Sequence, residues 1–214
     1  QEMARQVAHE VKNPLTPMKL MMQNFERKFD PNDPNNETKV KNLSGVIIGQ
    51  IEVISRVATA FSEFAQLPKR NDEEINLNRE IRNVLTIFSD ENIFIHASHD
   101  NIMMKIDKDY LARIIINLVT NASQAKADNR KSVINVDIEK IEKRIKIIVN
   151  DNGVGISPDK LEKIFDPNFT SKNSGMGIGL TMVKRMVEDY NGTITVVSEV
   201  DKGATFTISM PSNL

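Results

Sequence analysis

Cysteine is missing from all 214 residues. Without it there is no disulfide framework, no thiolate zinc site and no cysteine nucleophile. An excess of one charge is missing too: 28 Lys+Arg stand against 29 Asp+Glu, a formal −1. That balance argues against the wide basic face of a general nucleic-acid binder. No apolar run approaches the ~18–20 residues of a membrane span, and no signal peptide opens the chain. The expectation is a soluble, cytoplasmic piece. Because it begins inside a helical pattern, QEMARQVAHE, it is expected to continue a longer protein, with any membrane anchor lying in segments outside this chain. What remains is enough length for one large domain or two modest ones, each with its own core.

Residues 1 to 67 read as two long helices. Met3, Val7, Val11, Leu15, Met18, Met22, Phe25 and Phe29 recur every three or four residues, and so do Val40, Leu43, Ile47, Ile51, Ile54, Ala58, Phe61 and Ala65. Between them PNDPNNET supplies turn formers and ends on Thr38, a candidate cap. Two helices of roughly 40 Å joined by a short connection form an antiparallel hairpin. A lone hairpin buries only part of so wide a stripe, so a homodimer completing a four-helix bundle is expected. The polar stretch LPKRNDEE places a linker at 68–74, and a second domain covers 75–214. There INLN reads as a short strand, Arg79–Ser89 as a helix, and NIFIHAS and NIMMKID as strands around a turn. Tyr110–Lys126 is an apolar helix, and Gly177–Tyr190 is helical. SVINVDIEKIEK with RIKIIVND, and TITVVSEV with ATFTISM, alternate as hairpins do. Hairpins dominate the connections, which predicts an α+β sandwich with helices on one face of a mixed sheet.

His9 sits in AHEVKNPLTP. Two residues from both Val7 and Val11, it lies about 200° around the helix from each and points away from the apolar stripe. Asn13 and Thr16 share its face, Glu10 is adjacent, and Pro14 is expected to bend the helix one turn on. A lone exposed histidine is ordinarily just a surface residue, and His96 and His99 are read as structural. Yet an accessible neutral imidazole is a nucleophile near pH 7, and a neighbouring carboxylate can hold one ring N–H.

Four later motifs are individually weak. In RIIINLVTNASQAK, Asn117 and Asn121 are four apart, so both amides leave one side of an apolar helix and call for a polar partner. DNGVGI ends a strand on Asp151 and follows it with Gly153 and Gly155, which lets the backbone approach a flat ligand. FDPNFTSK alone passes for a loop on a core. SGMGIGL runs Gly175, Gly177 and Gly179 with Leu180 into a helix, exposing backbone N–H groups at its positive end, a natural phosphate cradle. It lacks the Gly-Lys-Ser/Thr ending of a Walker loop and does not follow a strand as a dinucleotide fingerprint does.

Taken together these motifs carry a resemblance. HEVKNP resembles the H-box of sensor histidine kinases. In order and spacing the other four resemble the N, G1, F and G2 boxes of the Bergerat-type ATP-binding fold, shared with Hsp90, MutL and gyrase. The likeness spans essentially the whole chain, and HEVKNPLTPMKL and FSEFAQLPK look most like NtrY/NtrB-like nitrogen-regulation kinases. It implies ATP with Mg²⁺, and transfer of the γ-phosphate to His9 and on to an aspartate of a response-regulator receiver domain. Glu10 would assist the transfer, and Asn13 the removal of phosphate from the regulator. Asp151 would accept the adenine amino group, with Gly153 and Gly155 shaping the wall and Thr205 supporting Asp151 from the next strand. Asn121 would coordinate Mg²⁺, with Asn117 lining the pocket. Residues 157–176 would be a lid offering Lys172, with Gly175, Gly177, Gly179 and Leu180 serving the phosphates. Gln124 departs from the basic residue many relatives carry there. ATPases of the superfamily have a glutamate where this chain has Asn117, an amide that makes a poor base. A non-catalytic scaffold would be expected to have lost one of His9, Asn121, Asp151 or the glycines.

Overall fold

The helical stripes fold as two long helices, α1 (Glu2–Lys28) and α2 (Asn36–Ala65), packed on each other. The computed structural model describes residues 2–65, 70–89, 91–166 and 178–212, with backbone alone at 2–6, 9, 10, 56 and 59–65. Two compact units result, one built on residues 1–67, the other on 68–169 and 179–214. Helix α1 runs through Pro14 and Pro17. Helix α2 starts at Asn36, so Thr38 lies inside it rather than capping it. The connection is held instead by Asp30 and Asp33, whose carboxylates accept backbone N–H bonds from Asn32 (2.9 Å) and Asn35 (2.8 Å).

The shielded seam of the hairpin is narrower than the stripe expected. On α1 it runs through Val7, Val11, Pro14, Met18, Met21 and Phe25, and on α2 through Leu43, Ile47, Gln50, Ile54 and Val57, with Gly49 and Val53 half-buried beside it. Leu15, Met22, Phe29, Val40 and Ile51, all expected in the stripe, are 45–51% exposed. The seam advances by alternating steps of four and three, the spacing of a two-helix contact. The other half of each stripe is left to solvent.

The second unit opens with β1 (Glu73–Asn76), so the last two residues of the expected linker already form a strand, and Leu77 and Asn78 begin α3 (Leu77–Leu85) instead of ending one. The cause is Asn76, whose side-chain oxygen accepts the Arg79 N–H at 3.0 Å and starts the helix. Strands β2 (Ile93–Ala97) and β3 (Met103–Ile106) do not pair with each other: β3 joins β1 antiparallel, while β2 joins the main sheet. Asn78, buried, holds the turn between them by donating to the His99 carbonyl at 2.8 Å. His99 Nδ1 meets Ser98 Oγ at 2.8 Å, and His96 lies 3.3 Å from Asp137 on an exposed strand face.

The main sheet is mixed, ordered β2-β4-β5-β7-β6, with β4 (Ile134–Ile141), β5 (Arg144–Asp151), β6 (Thr193–Glu199) and β7 (Gly203–Pro211). Only β2–β4 is parallel; the hairpins β4–β5 and β6–β7 form as expected. Ile134, Val136, Ile138, Ile145, Ile147, Val149, Phe206, Ile208 and Met210 alternate onto the buried face. The helix layer meeting it is α4 (Lys108–Gln124) and α6 (Gly179–Glu188), with Leu111, Ile114, Ile115 and Leu118 of α4 fully buried. Asp107 caps α4 by accepting the N–H groups of Asp109 (2.8 Å) and Tyr110 (3.1 Å), and takes that of Asn71 at 2.7 Å. Burial works against its charge, but those backbone donors, aided by Arg70, outweigh it and hold its pKa below the usual carboxylate value.

Residues 70–72 are thereby tied to the second unit. Arg70 lies 4.3 Å over the Tyr190 ring and pairs with Asp72. The Tyr190 hydroxyl donates to Asp72 at 2.5 Å and accepts the Asp107 N–H at 3.0 Å. Burial, reinforced by that bond to Asp72, raises the phenol pKa far above its ordinary value.

Candidate active site

The buried stripe of α4 positions the two asparagines. Tyr110, Leu111, Ile114, Ile115, Leu118, Val119 and Ala122 fill one side, and Asn117 and Asn121 lie together on its half-buried margin. Asn117 Nδ2 donates to the Arg113 carbonyl of its own helix at 2.8 Å, which fixes the amide and turns Oδ1 towards α6. A methyl group built on Gly179 would lie 2.6 Å from that Oδ1, so a side chain there would push the Asn117 amide out of this position. The Asn121 amide makes no hydrogen bond with a described residue and is an oxygen donor still available to a ligand. Leu180 is half-buried beside Gly179, and Gln124 is exposed at the last turn of α4.

Asp151 ends the buried face of β5 in a carboxylate only 4% exposed. Its Oδ1 accepts the Gly153 N–H at 2.8 Å. The turn beyond is too crowded for side chains: a Cβ on Gly153 would lie 2.2 Å from the Ala125 carbonyl oxygen, the last residue of the α4 cap. Gly155 (φ 71°) and Gly203 (φ 106°) take left-handed backbone and pass so close that added methyls would strike the Glu199 and Asp151 carbonyl oxygens. Ser198 ties the same corner, donating to the Gly203 carbonyl at 2.7 Å and accepting the Ile156 N–H at 2.9 Å.

Thr205 is placed differently from the expectation. It stands opposite Asn150, and its Oγ1 accepts Asn150 Nδ2 at 2.8 Å. Neighbours on a strand point to opposite faces, so its side chain is on the face away from Asp151. The Gly153 N–H is one support of the Asp151 carboxylate. Phe165 packs edge-on to Phe206 at 6.5 Å, and its carbonyl accepts Thr181 Oγ1 at 3.2 Å; of the expected lid, Pro158–Leu161 is a short helix, α5. Lys172, Gly175 and Gly177 lie outside the described residues, as do the side chains of His9 and Glu10. Asn13 is exposed on α1.

Arg130 and Asn152 were not singled out by sequence. Arg130 donates through Nε to the Asn152 carbonyl (2.6 Å) and through Nη2 to those of Gly153 (2.7 Å) and Asp201. Asn152 pins the turn from the other side, donating to the Lys131 carbonyl at 3.0 Å and accepting the Val133 N–H at 2.9 Å. Arg130 belongs to an aperiodic loop, where no pattern marks a partner.

A helix layer on a mixed sheet, with a buried carboxylate beside a glycine turn on β5 and an asparagine pair on the helix packed against that strand, defines an α+β sandwich. The chain belongs to the histidine kinase-, DNA gyrase B- and HSP90-like ATPase family, whose model matches residues 106–214. Among its relatives, sensor histidine kinase ZraS of Escherichia coli strain K12 is 31% identical over 218 residues, covering 99% of this chain and 45% of that protein. An NtrY-like sensor histidine kinase of Rickettsia bellii strain RML369-C is 30% identical over 211 residues, covering 97% and 34%. The chain therefore spans less than half the length of these curated relatives. The crystal structure of histidine kinase ThkA in complex with response regulator protein TrrA matches the whole chain and 62% of that one, at 26% identity and TM-score 0.77. The isolated ThkA catalytic domain matches 66% of this chain at 28% identity and TM-score 0.60.

Proposed function

We propose that this chain is the catalytic core of a sensor histidine kinase, with a phosphotransfer hairpin at 1–67, a linker at 68–74 and an ATP-binding domain at 75–214. The neutral ring nitrogen of His9 attacks the γ-phosphorus, the bond to the β-phosphate oxygen breaks, and ADP leaves with that electron pair. Glu10 holds or takes the imidazole proton. The phosphoryl group then passes to an aspartate oxygen of a receiver domain as the N–P bond breaks. ThkA, crystallised with a response regulator, is the relative that suggests such a partner. Asp151 accepts the adenine amino group, and Gly153 and Gly155 let the base approach. Mg²⁺ fits the donor set, because Asn121 offers an amide oxygen with no described partner and this ion is held by few protein oxygens besides phosphates and water. When bound it neutralises phosphate charge. Lys172, Gly175, Gly177, Gly179 and Leu180 serve the phosphates.

The observation that carries the reading is the amide at position 117. The hydrolytic relatives described above have a carboxylate there to activate water; here Asn117 is fixed by Arg113 and packed on Gly179, in a chain that also carries HEVKNP. Transfer to a protein nucleophile fits better than hydrolysis. The exposed Leu15, Met22, Phe29, Val40 and Ile51 support a homodimer closing a four-helix bundle. The test is incubation with γ-labelled ATP and Mg²⁺ followed by acid and alkali. Label lost in acid and kept in alkali marks phosphohistidine; the reverse, or free phosphate alone, removes the kinase reading. Asn13→Ala should spare labelling and slow loss of phosphate from the regulator, and equal loss of both activities would reduce Asn13 to a structural residue.

A further inference from the structure

We propose that Arg130 is a positioning residue for base recognition, holding the peptide that orients the Asp151 carboxylate. Two successive peptide units are each gripped at both ends. In the first, Arg130 Nε donates to the Asn152 carbonyl while the Gly153 N–H at the other end donates to Asp151 Oδ1 at 2.8 Å. In the second, Arg130 Nη2 donates to the Gly153 carbonyl while the Val154 N–H donates to the Ala125 carbonyl at 2.8 Å. The same nitrogen reaches the Asp201 carbonyl, and the Asp201 N–H returns to the Val154 carbonyl at 2.8 Å. One guanidinium thus joins the turn after β5 to the turn between β6 and β7.

A peptide unit is planar, so fixing its carbonyl fixes its N–H. Gly153 has no side chain to resist rotation of that plane, and its crowding against Ala125 forbids one. Without Arg130, rotation would withdraw the N–H from Asp151 and present a carbonyl lone pair in its place. The fork matters more than the charge, because a lysine ammonium cannot span three carbonyls in one fixed plane.

This inference rests on Asp151 reading the adenine amino group, so the experiment separates the two. ATP and ITP, which differ in that amino group, are titrated by calorimetry against the parent chain, Asp151→Asn, Arg130→Ala and Arg130→Lys, with folding checked by circular dichroism. Arg130→Lys keeps the charge in case Arg130→Ala fails to fold. The expected result is an ATP preference in the parent that narrows about tenfold in Asp151→Asn and by a similar factor in both Arg130 variants, with ITP affinity unchanged. Amide exchange at Gly153 and Val154 in the unliganded protein should also quicken at least about tenfold in both. A parent without ATP preference overturns the adenine reading and this inference with it. A parent that discriminates, with Arg130→Lys equal to it in preference or exchange, overturns the role of Arg130 alone. Equal weakening of ATP and ITP does so too, since it marks general loss of structure.

Discussion

The two units handle apolar surface in opposite ways. In the second, Leu111, Ile114, Ile115, Leu118, Ile134 and Ile208 are fully buried, and the sheet's alternation closes on a helix layer supplied by the same unit. In the hairpin, among the described residues, only Pro14 and Val57 are buried, and Leu15, Leu20, Met22, Val46, Ile48 and Ile51 stay at least 40% exposed. A sheet with helices on one face can complete its own core, whereas two helices shield one seam and leave the outer side bare. The second unit therefore closes its own core, and the hairpin leaves apolar side chains exposed. Polar groups follow the same division: Asn78, Asp107 and Asp151, the buried polar residues described, all belong to the second unit.

The sharpest way to break this comparison is to remove chemistry from one unit and read the other. His9→Gln should abolish labelling from γ-labelled ATP while calorimetric ATP affinity stays at the parent value; label persisting on His96 or His99 would move the acceptor into the second unit. Next in size is core truncation. Ile114→Ala, at a fully buried site, should cost about 2–5 kcal/mol of unfolding free energy at any protein concentration. Leu15→Ser with Ile51→Ser should instead act through self-association, so its effect depends on concentration. Light scattering that finds the parent monomeric at micromolar concentration would end the four-helix reading.

A smaller effect is expected where one hydrogen bond changes. Asp151→Asn should weaken ATP binding by about 1–3 kcal/mol, the scale of one charge-assisted bond, with Asn13 and the hairpin indifferent to it. Smallest is the response to acid. The Asp107 carboxyl is held below its ordinary pKa in the folded state, so the unfolded chain binds more protons. Its stabilising contribution is complete above the unfolded carboxylate value and is lost as pH falls through the folded one. Denaturant titrations across that acid range should show the second unit weakening, with the slope flattened in Asp107→Asn. An unchanged slope would mean other carboxylates carry the effect, Glu91 first among them: its hydrogen bonds from Lys126 and then Ser123 also depress its pKa.

By itself the sequence determined the two helices of the hairpin, both antiparallel β-hairpins, the apolar helix bearing Asn117 and Asn121, and the glycines around Asp151. Each rests on a local rule: periodicity, alternation, or backbone that only glycine adopts. It could not separate the seam of the hairpin from its bare side, because Val11 and Leu15 look alike until a second helix shields one of them. The parting of β2 from β3 was equally hidden, since alternation fixes a strand's faces but not its neighbour. Thr205 fell on the other face from Asp151 by a single residue of register. Tertiary structure alone also brought Arg130 to three carbonyls, two of them over twenty residues along the chain and the third over seventy. Hydrogen bonds between a side chain and distant backbone have no period, so only the folded chain brings their ends together.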